Sequence, residues 1–211
     1  MPYQNRVDPY GRLHAVSERG SWVGNRGVLI NDNRVIVRPF RLQRWITCSL
    51  EFKGRHREVF TPGRWTELFF LDEATAISAG HRPCAECRRE RYKAFKSAWL
   101  ASIIGRLNIS AVEMDEVLQS ERELPAGGKQ TYRAELASLP NGTMFEHEGE
   151  SMLIWNDRLW RWSFSGYSAA RSQINNSTLV NVLTPRSSVT VLKHGYIPQI
   201  HESISVSTTT R

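Results

Sequence analysis

Two cysteines three positions apart, Cys84 and Cys87, sit in the run Arg82-Pro83-Cys84-Ala85-Glu86-Cys87. A Cys-x-x-Cys turn presents two thiolates to one metal ion, which is one half of a tetrahedral zinc site. Cys48 is the only other thiol in the chain. Three cysteines are too few for a disulfide framework. Metal ligation and plain burial as small apolar groups are the two readings open to them.

Carboxylates set among cations are the second chemical element. Glu67 enters the apolar run Leu68-Phe69-Phe70-Leu71 and needs a partner there, for which Arg64 and Arg82 are candidates. Asp8 lies in Asn5-Arg6-Val7-Asp8-Pro9-Tyr10, and Glu51 in Leu50-Glu51-Phe52-Lys53. A carboxylate beside DNA can stabilise an oxocarbenium-like sugar and activate water, cutting base from sugar. Glu51, Glu67 and Asp8 are the candidates for that work, against the plainer roles of ion pair or cap. Asp32, followed by Glu51-x-Lys53, also matches a short pattern of Mg²⁺-dependent nucleases.

Charge is divided along the chain. Residues 1–100 hold 18 Lys/Arg against 10 Asp/Glu, and residues 101–211 hold 10 against 11. Such asymmetry points to a polyanionic partner for the first half. Most of those cations are arginine, whose planar fork suits phosphates and base edges. Arg26, Arg64, Arg82, Arg88, Arg89, Arg91 and Lys93 are the candidate contacts, with Trp65 as a platform on which an exposed or flipped base could stack. Trp22 and Trp45 are open between that role and the core. Gly24-Asn25-Arg26-Gly27 reads as a turn or a small anion nest. No phosphate-binding loop or dinucleotide fingerprint occurs, so no nucleotide cofactor is expected.

The elements that must position these groups read as follows. A hairpin is predicted over Val28–Val37 and a strand over Trp45–Phe52, turned by Lys53-Gly54-Arg55. A central strand runs from Thr66 to Leu71. Asp72 caps a short helix that stops at Gly80. A longer helix covers about Glu86–Ile104, with Tyr92, Phe95, Trp99 and Ile103 on its apolar face. Ser110 caps an acidic helix to about Ser120, and a further helix is expected around Thr131–Ala137. Gly142–His147, Glu150–Trp155 and Arg158–Phe164 read as a meander with turns at Glu148-Gly149 and Asn156-Asp157. Trp160 and Trp162 share one face of it, as core. Thr178–Leu183 is a further strand and Ser187–His194 a short helix or turn. No apolar run approaches the length of a membrane helix, and residues 1–6 have no apolar signal core, so a cytoplasmic location is expected.

The run from Leu68 to Arg89, above all Ala79-Gly80, Arg82-Pro83-Cys84 and Cys87-Arg88, resembles the N-terminal zinc module of Ada-type DNA-repair proteins, over about residues 45–95. That family joins an aromatic strand, a short Ala-rich helix, the Cys-x-x-Cys knuckle and basic residues. It uses four cysteines, one of which accepts a methyl group from a DNA phosphotriester. The resemblance carries over to Cys84 and Cys87 directly and to Cys48 approximately. It leaves the fourth place to His81 or His56, and it implies zinc and a DNA partner. A centre of three sulfurs and one imidazole carries less negative charge than four thiolates, so its thiolate would accept a methyl group less readily.

The expectation is an α+β protein. Residues 1–107 form the basic region: strands, a zinc-knuckle-like unit and a long basic helix. Residues 108–202 form an acidic helix and a small antiparallel sheet packed on it, and residues 203–211 a disordered tail. The expected function is processing of damaged or modified DNA, with hydrolytic base excision by an N-glycosylase ahead of strand cleavage. An Ada-like methyl acceptor and a non-catalytic DNA-binding zinc module are the alternatives.

Overall fold

The computed structural model describes residues 1–54, 58–124, 128–170 and 173–204. The fold is α+β, with two six-stranded sheets and four α-helices among those residues.

The first sheet is built from short strands: β1 (Arg6–Val7), β2 (Leu13–His14), β3 (Trp22–Asn25), β4 (Ile46–Cys48), β5 (Leu68–Phe70) and β6 (Arg82–Pro83). Their order is β2-β1-β5-β3-β4-β6, with β1·β5 and β4·β6 parallel and the other pairs antiparallel. The predicted hairpin over Val28–Val37 shrinks to a single bridge between Ile30 and Ile36. Both apolar arms are short, and Asn31 turns the chain by accepting from the amides of Asn33 and Val35.

Asp72 caps α1 (Glu73–Ser78), its carboxylate accepting from the Thr75 amide at 2.8 Å, and Gly80 follows at φ +88°. A side chain at position 80 would meet Arg122 at 2.6 Å, so close approach as well as backbone angle demands glycine there. The next helices are α2 (Arg89–Ala101) and α3 (Ala111–Arg122). Ser110 and Glu113 close a reciprocal capping box on α3.

The second sheet comprises β7 (Tyr132–Glu135), β8 (Met144–His147), β9 (Glu150–Trp155), β10 (Arg158–Ser163), β11 (Gly166–Ala169) and β12 (Leu179–Val182), in the order β11-β10-β9-β8-β12-β7 and antiparallel throughout. The meander follows the expected bounds, and its turns use left-handed Glu148, Asn156 and Asp157. The segment predicted helical near Thr131 is instead β7. Its side chains alternate between half-buried and exposed, and β12 supplies a complete antiparallel partner. A final helix, α4, spans Arg186–Lys193.

The two sheets share a core. Leu71 and Ala74 from the first half pack with Met144, Leu153, Trp160 and Tyr167 from the second sheet. Asp72 and Glu73 reinforce the contact: Tyr167 donates to Asp72, and Tyr196 to Glu73. Helix α3 joins α2 and α4 in a further core of Phe95, Trp99, Met114, Leu118 and Val191, so packing runs continuously across residue 107. Ile204 is buried against the second sheet, and Ser203 accepts from the Tyr167 amide. The expected disordered tail is therefore ordered through those two residues, and residues 205–211 lie outside the described set. No helix among the described residues is long and apolar enough to cross a membrane.

Candidate metal centre and its cavity

Parallel pairing of β4 with β6 brings the thiols together. Ile46 pairs with Arg82, Thr47 with Pro83, and the Cys84 amide continues the ladder by donating to the Thr47 carbonyl at 2.9 Å. Cys84 thus lands beside Cys48, and the knuckle then turns Cys87 back toward both. The Glu86 amide donates to the Cys84 sulfur at 3.4 Å, and the Arg88 amide closes the turn onto the Cys84 carbonyl at 3.2 Å. The three sulfurs lie within 4.8 Å of one another. Tetrahedral zinc thiolates, with Zn–S of about 2.3 Å, stand roughly 3.8 Å apart, so the donor set fits a metal ion. Hydrogen bonds from Cys48 and Cys87 hold the Cys84 thiol well below its ordinary range, while Cys48 is pushed up because it donates to Cys84 and Cys87. Among the described residues this is the only group of three or more His, Cys, Asp or Glu side chains close enough to hold an ion.

His81 does not belong to it. Its ring is fully buried between Trp45 and Phe70, 5.1 and 4.7 Å away by ring centroids, and Nε2 accepts from Arg26 Nε at 3.2 Å. Burial, with Arg26 and Arg122 nearby, holds its pKa well below the ordinary value. The reason is strand alternation: position 81 faces the opposite side of the sheet from Arg82 and Cys84. His56, the other candidate, lies outside the described residues.

The thiols open on a cavity of about 500 Å³. Glu67, Trp65, Phe52, Phe69, Arg44 and Glu86 line it with the cysteines, so candidates scattered over 40 positions of sequence meet on one face of the first sheet. Register explains this: Val23 pairs with both Cys48 and Phe69, and all three side chains share that face. Glu67 is buried, and its Oε2 accepts from the Phe60 amide at 3.0 Å. Neither expected arginine is its partner: Arg82 is bound to Asp115 through two 2.8 Å contacts, and Arg64 is exposed. Asp8 is elsewhere, accepting from the Arg12 amide at 2.9 Å and paired with His14 at 2.8 Å. Glu51 is exposed beyond β4 and does not line the cavity.

Several cations expected on the surface are internal. Arg26, Arg82 and Arg88 are at most 4 % exposed. Arg88 donates to Glu73 at 2.8 Å and lies 3.8 Å from the Trp22 ring centroid; Arg91 donates to the same carboxylate at 2.7 Å. These last two arginines neutralise a buried Glu73 and fasten α2 to α1. Burial removes Arg82 and Arg88 from any surface a polyanion could touch, and Arg26 faces only the cleft on the opposite side of the sheet. Trp22 and Trp45 are likewise covered by guanidinium groups. Exposed cations remain at Arg44, Lys53, Arg64, Arg89 and Lys93, the last paired with Glu90 at 2.9 Å. Arg44 lines the cavity, and Lys53 and Arg64 are the sequence neighbours of its Phe52 and Trp65.

Sequence reasoning missed a second constellation. On the opposite face of the first sheet, a cleft of about 960 Å³ gathers Arg26, Arg122, Glu123 and Lys129. Arg122 and Lys129 stand alone in an acidic stretch of sequence, and no spacing marks them. No protein-family model matches this chain, and neither a curated protein nor a solved structure was found to match it.

Proposed function

We propose that the protein processes modified or damaged DNA, and that the cavity beside the three cysteines receives an everted base for hydrolytic excision. The observation that carries this reading is the convergence of Glu67, Trp65, Phe52 and the three thiols on one 500 Å³ cavity with exposed Arg44 in its lining. A cavity of that size accommodates a flipped nucleobase, and aromatic walls stack on it. Arg44, Arg64 and Arg89 would hold flanking phosphates. This reading gives the chemistry to Glu67, the one of the three candidate carboxylates that lines the cavity. Glu67 takes a proton from water as the oxygen attacks C1′ of the sugar; the glycosidic bond breaks with its electron pair going to the base nitrogen, which takes a proton from solvent, and Glu67 returns its own proton to solvent. Cys48, Cys84 and Cys87 would hold zinc, which would fix the loop that carries one wall. The Ada-type resemblance of the knuckle supports both the metal and the partner.

The test is incubation of the purified protein with duplexes carrying alkylated, oxidised, deaminated and hypermodified bases, followed by detection of free base. Release that disappears in Glu67→Gln supports the reading. Intact DNA across the panel rejects it.

The clustered thiols favour one second reading, an Ada-like methyl acceptor. Cys48 and Cys87 are half-buried on the cavity side, within reach of a bound phosphotriester. That reading requires one methyl group per chain on cysteine and no turnover, which mass spectrometry of the protein after incubation with methylated DNA distinguishes.

A further inference from the structure

The cleft on the far face of the first sheet concentrates positive charge in a way that structure alone does not require. Arg26 and Arg122 lie 3.9 and 4.0 Å from the centroid of the same Trp45 ring. Both are at most 1 % exposed. Lys129 reaches in beside them and donates to the Ser78 carbonyl. Among the described residues, the only carboxylate lining the cleft is Glu123. Neither guanidinium has a carboxylate hydrogen-bond partner among those residues: Arg26 donates to His81 and the Gly11 carbonyl, and Arg122 to the Gly80 and Gln43 carbonyls and to Gln119.

Two of their donors are left over. Arg26 Nη2 and Arg122 Nε are buried and have no hydrogen-bond partner among the described residues. Buried donors without partners are costly, and three cations gathered with no carboxylate hydrogen-bonded to either guanidinium are costly to bury, although Asp8, Asp115 and Glu123 offset part of the charge. Burial lowers all three, Arg26 and Arg122 to about 9 and Lys129 to about 7, with added repulsion from Arg122 on Arg26, from Arg82 on Arg122, and from both Arg26 and Arg122 on Lys129. An incoming oxyanion with several acceptor oxygens relieves both costs at once.

We propose that this cleft binds a terminal phosphate group carried by a small organic molecule or by the end of a polynucleotide, with Arg26, Arg122 and Lys129 around its oxygens. Arg26 and Arg122 are buried beneath the cleft surface and Lys129 is half-buried beside them, so the phosphate is expected to enter end-on. A terminal monoester can do this; an internal phosphodiester, substituted on both sides, cannot. The volume leaves room for an attached sugar or base, and Phe40 and Leu13 supply apolar wall. The site lies across the sheet from the cysteines and does not depend on the excision reading.

Calorimetric titration of the full-length protein tests this with inorganic phosphate, deoxyadenosine 5′-monophosphate, deoxyadenosine, and one oligonucleotide with and without a 5′-phosphate. The expected result is binding by deoxyadenosine 5′-monophosphate and none by deoxyadenosine, or tighter binding by the 5′-phosphorylated oligonucleotide than by its unphosphorylated form, with the phosphate-dependent part at least tenfold weaker in Lys129→Gln. Tightest binding by the mononucleotide assigns a small-molecule source, and tightest binding by the 5′-phosphorylated oligonucleotide a polynucleotide end. Arg38→Gln at the mouth of the cleft, expected to weaken binding severalfold, serves if Lys129→Gln does not fold. Equal binding with and without the phosphate, or no binding by any phosphorylated ligand at millimolar concentration, overturns the proposal.

Discussion

Arg82 and Asp115 grip each other through two hydrogen bonds of 2.8 Å, both side chains being at most 7 % exposed. The pair ties the strand that leads into the Cys84 knuckle to helix α3. Removing one partner strands a buried charge, which costs about 3–5 kcal/mol. Asp115→Asn is therefore expected to lower the melting temperature by roughly 2–4 °C for each kcal/mol of stability removed. Arg82→Met combined with Asp115→Leu is expected to recover much of the loss, as thermal unfolding of the three variants would show.

Much of the scaffold around this pair was legible. Asp72, Gly80, Ser110 and the meander turns each carry a local signal, a cap or a left-handed position, that survives whatever packs around it. The site was legible in its residue types and misread in its roles. Arg82, Arg88 and Arg91 look like phosphate contacts because sequence shows their charge. It does not show that Glu73 and Asp115, 15 and 33 positions away from Arg88 and Arg82, face them in the interior. His81 failed as a ligand for a different reason: one step along a strand reverses the face. The β7 segment was read as a helix because its strand partner, β12, lies more than 40 residues downstream.

Metal binding by the three thiols would have a direct consequence for stability. Purified protein is expected to carry one zinc ion per chain, measured by atomic emission. Cys84→Ser is expected to lose it, and chelation to lower the unfolding temperature, because ion binding to the folded thiolates is linked to folding. Protein that contains no metal, with three thiols that react freely with a disulfide reagent and no change in stability on chelation, would remove the centre.

On the proposed DNA-processing function, the surface contribution to affinity should come from exposed rather than buried arginines. Arg44→Gln, Arg64→Gln and Arg89→Gln are each expected to weaken binding and to reduce the slope of log affinity against log salt by about 0.9 for each phosphate no longer neutralised. Arg88→Gln is expected to destabilise the fold while leaving that slope unchanged. Fluorescence anisotropy over a range of salt concentrations separates the two classes.

Lys129 sets a pH dependence whose sign follows from its lowered pKa. The unfolded chain holds this proton up to the ordinary lysine value of 10.5, the folded chain only to about 7. Between those limits the unfolded state binds more protons, so stability rises with pH across the window, and below it the group contributes no further slope. Denaturant titrations from pH 6 to 9 are expected to show this rise in the native protein, less of it in Lys129→Met, and less again when a phosphate monoester fills the cleft. Identical slopes for native protein and variant would show that the ammonium is not buried among cations.

The excision reading is tested most directly by mass-resolved analysis of free bases released from chemically modified duplexes, comparing the native protein with Glu67→Gln. The expected result is more than one free base released per protein molecule from at least one modified duplex, falling at least a hundredfold in Glu67→Gln while the variant still folds and binds DNA. Intact DNA in every reaction, or equal release by the variant, would contradict it.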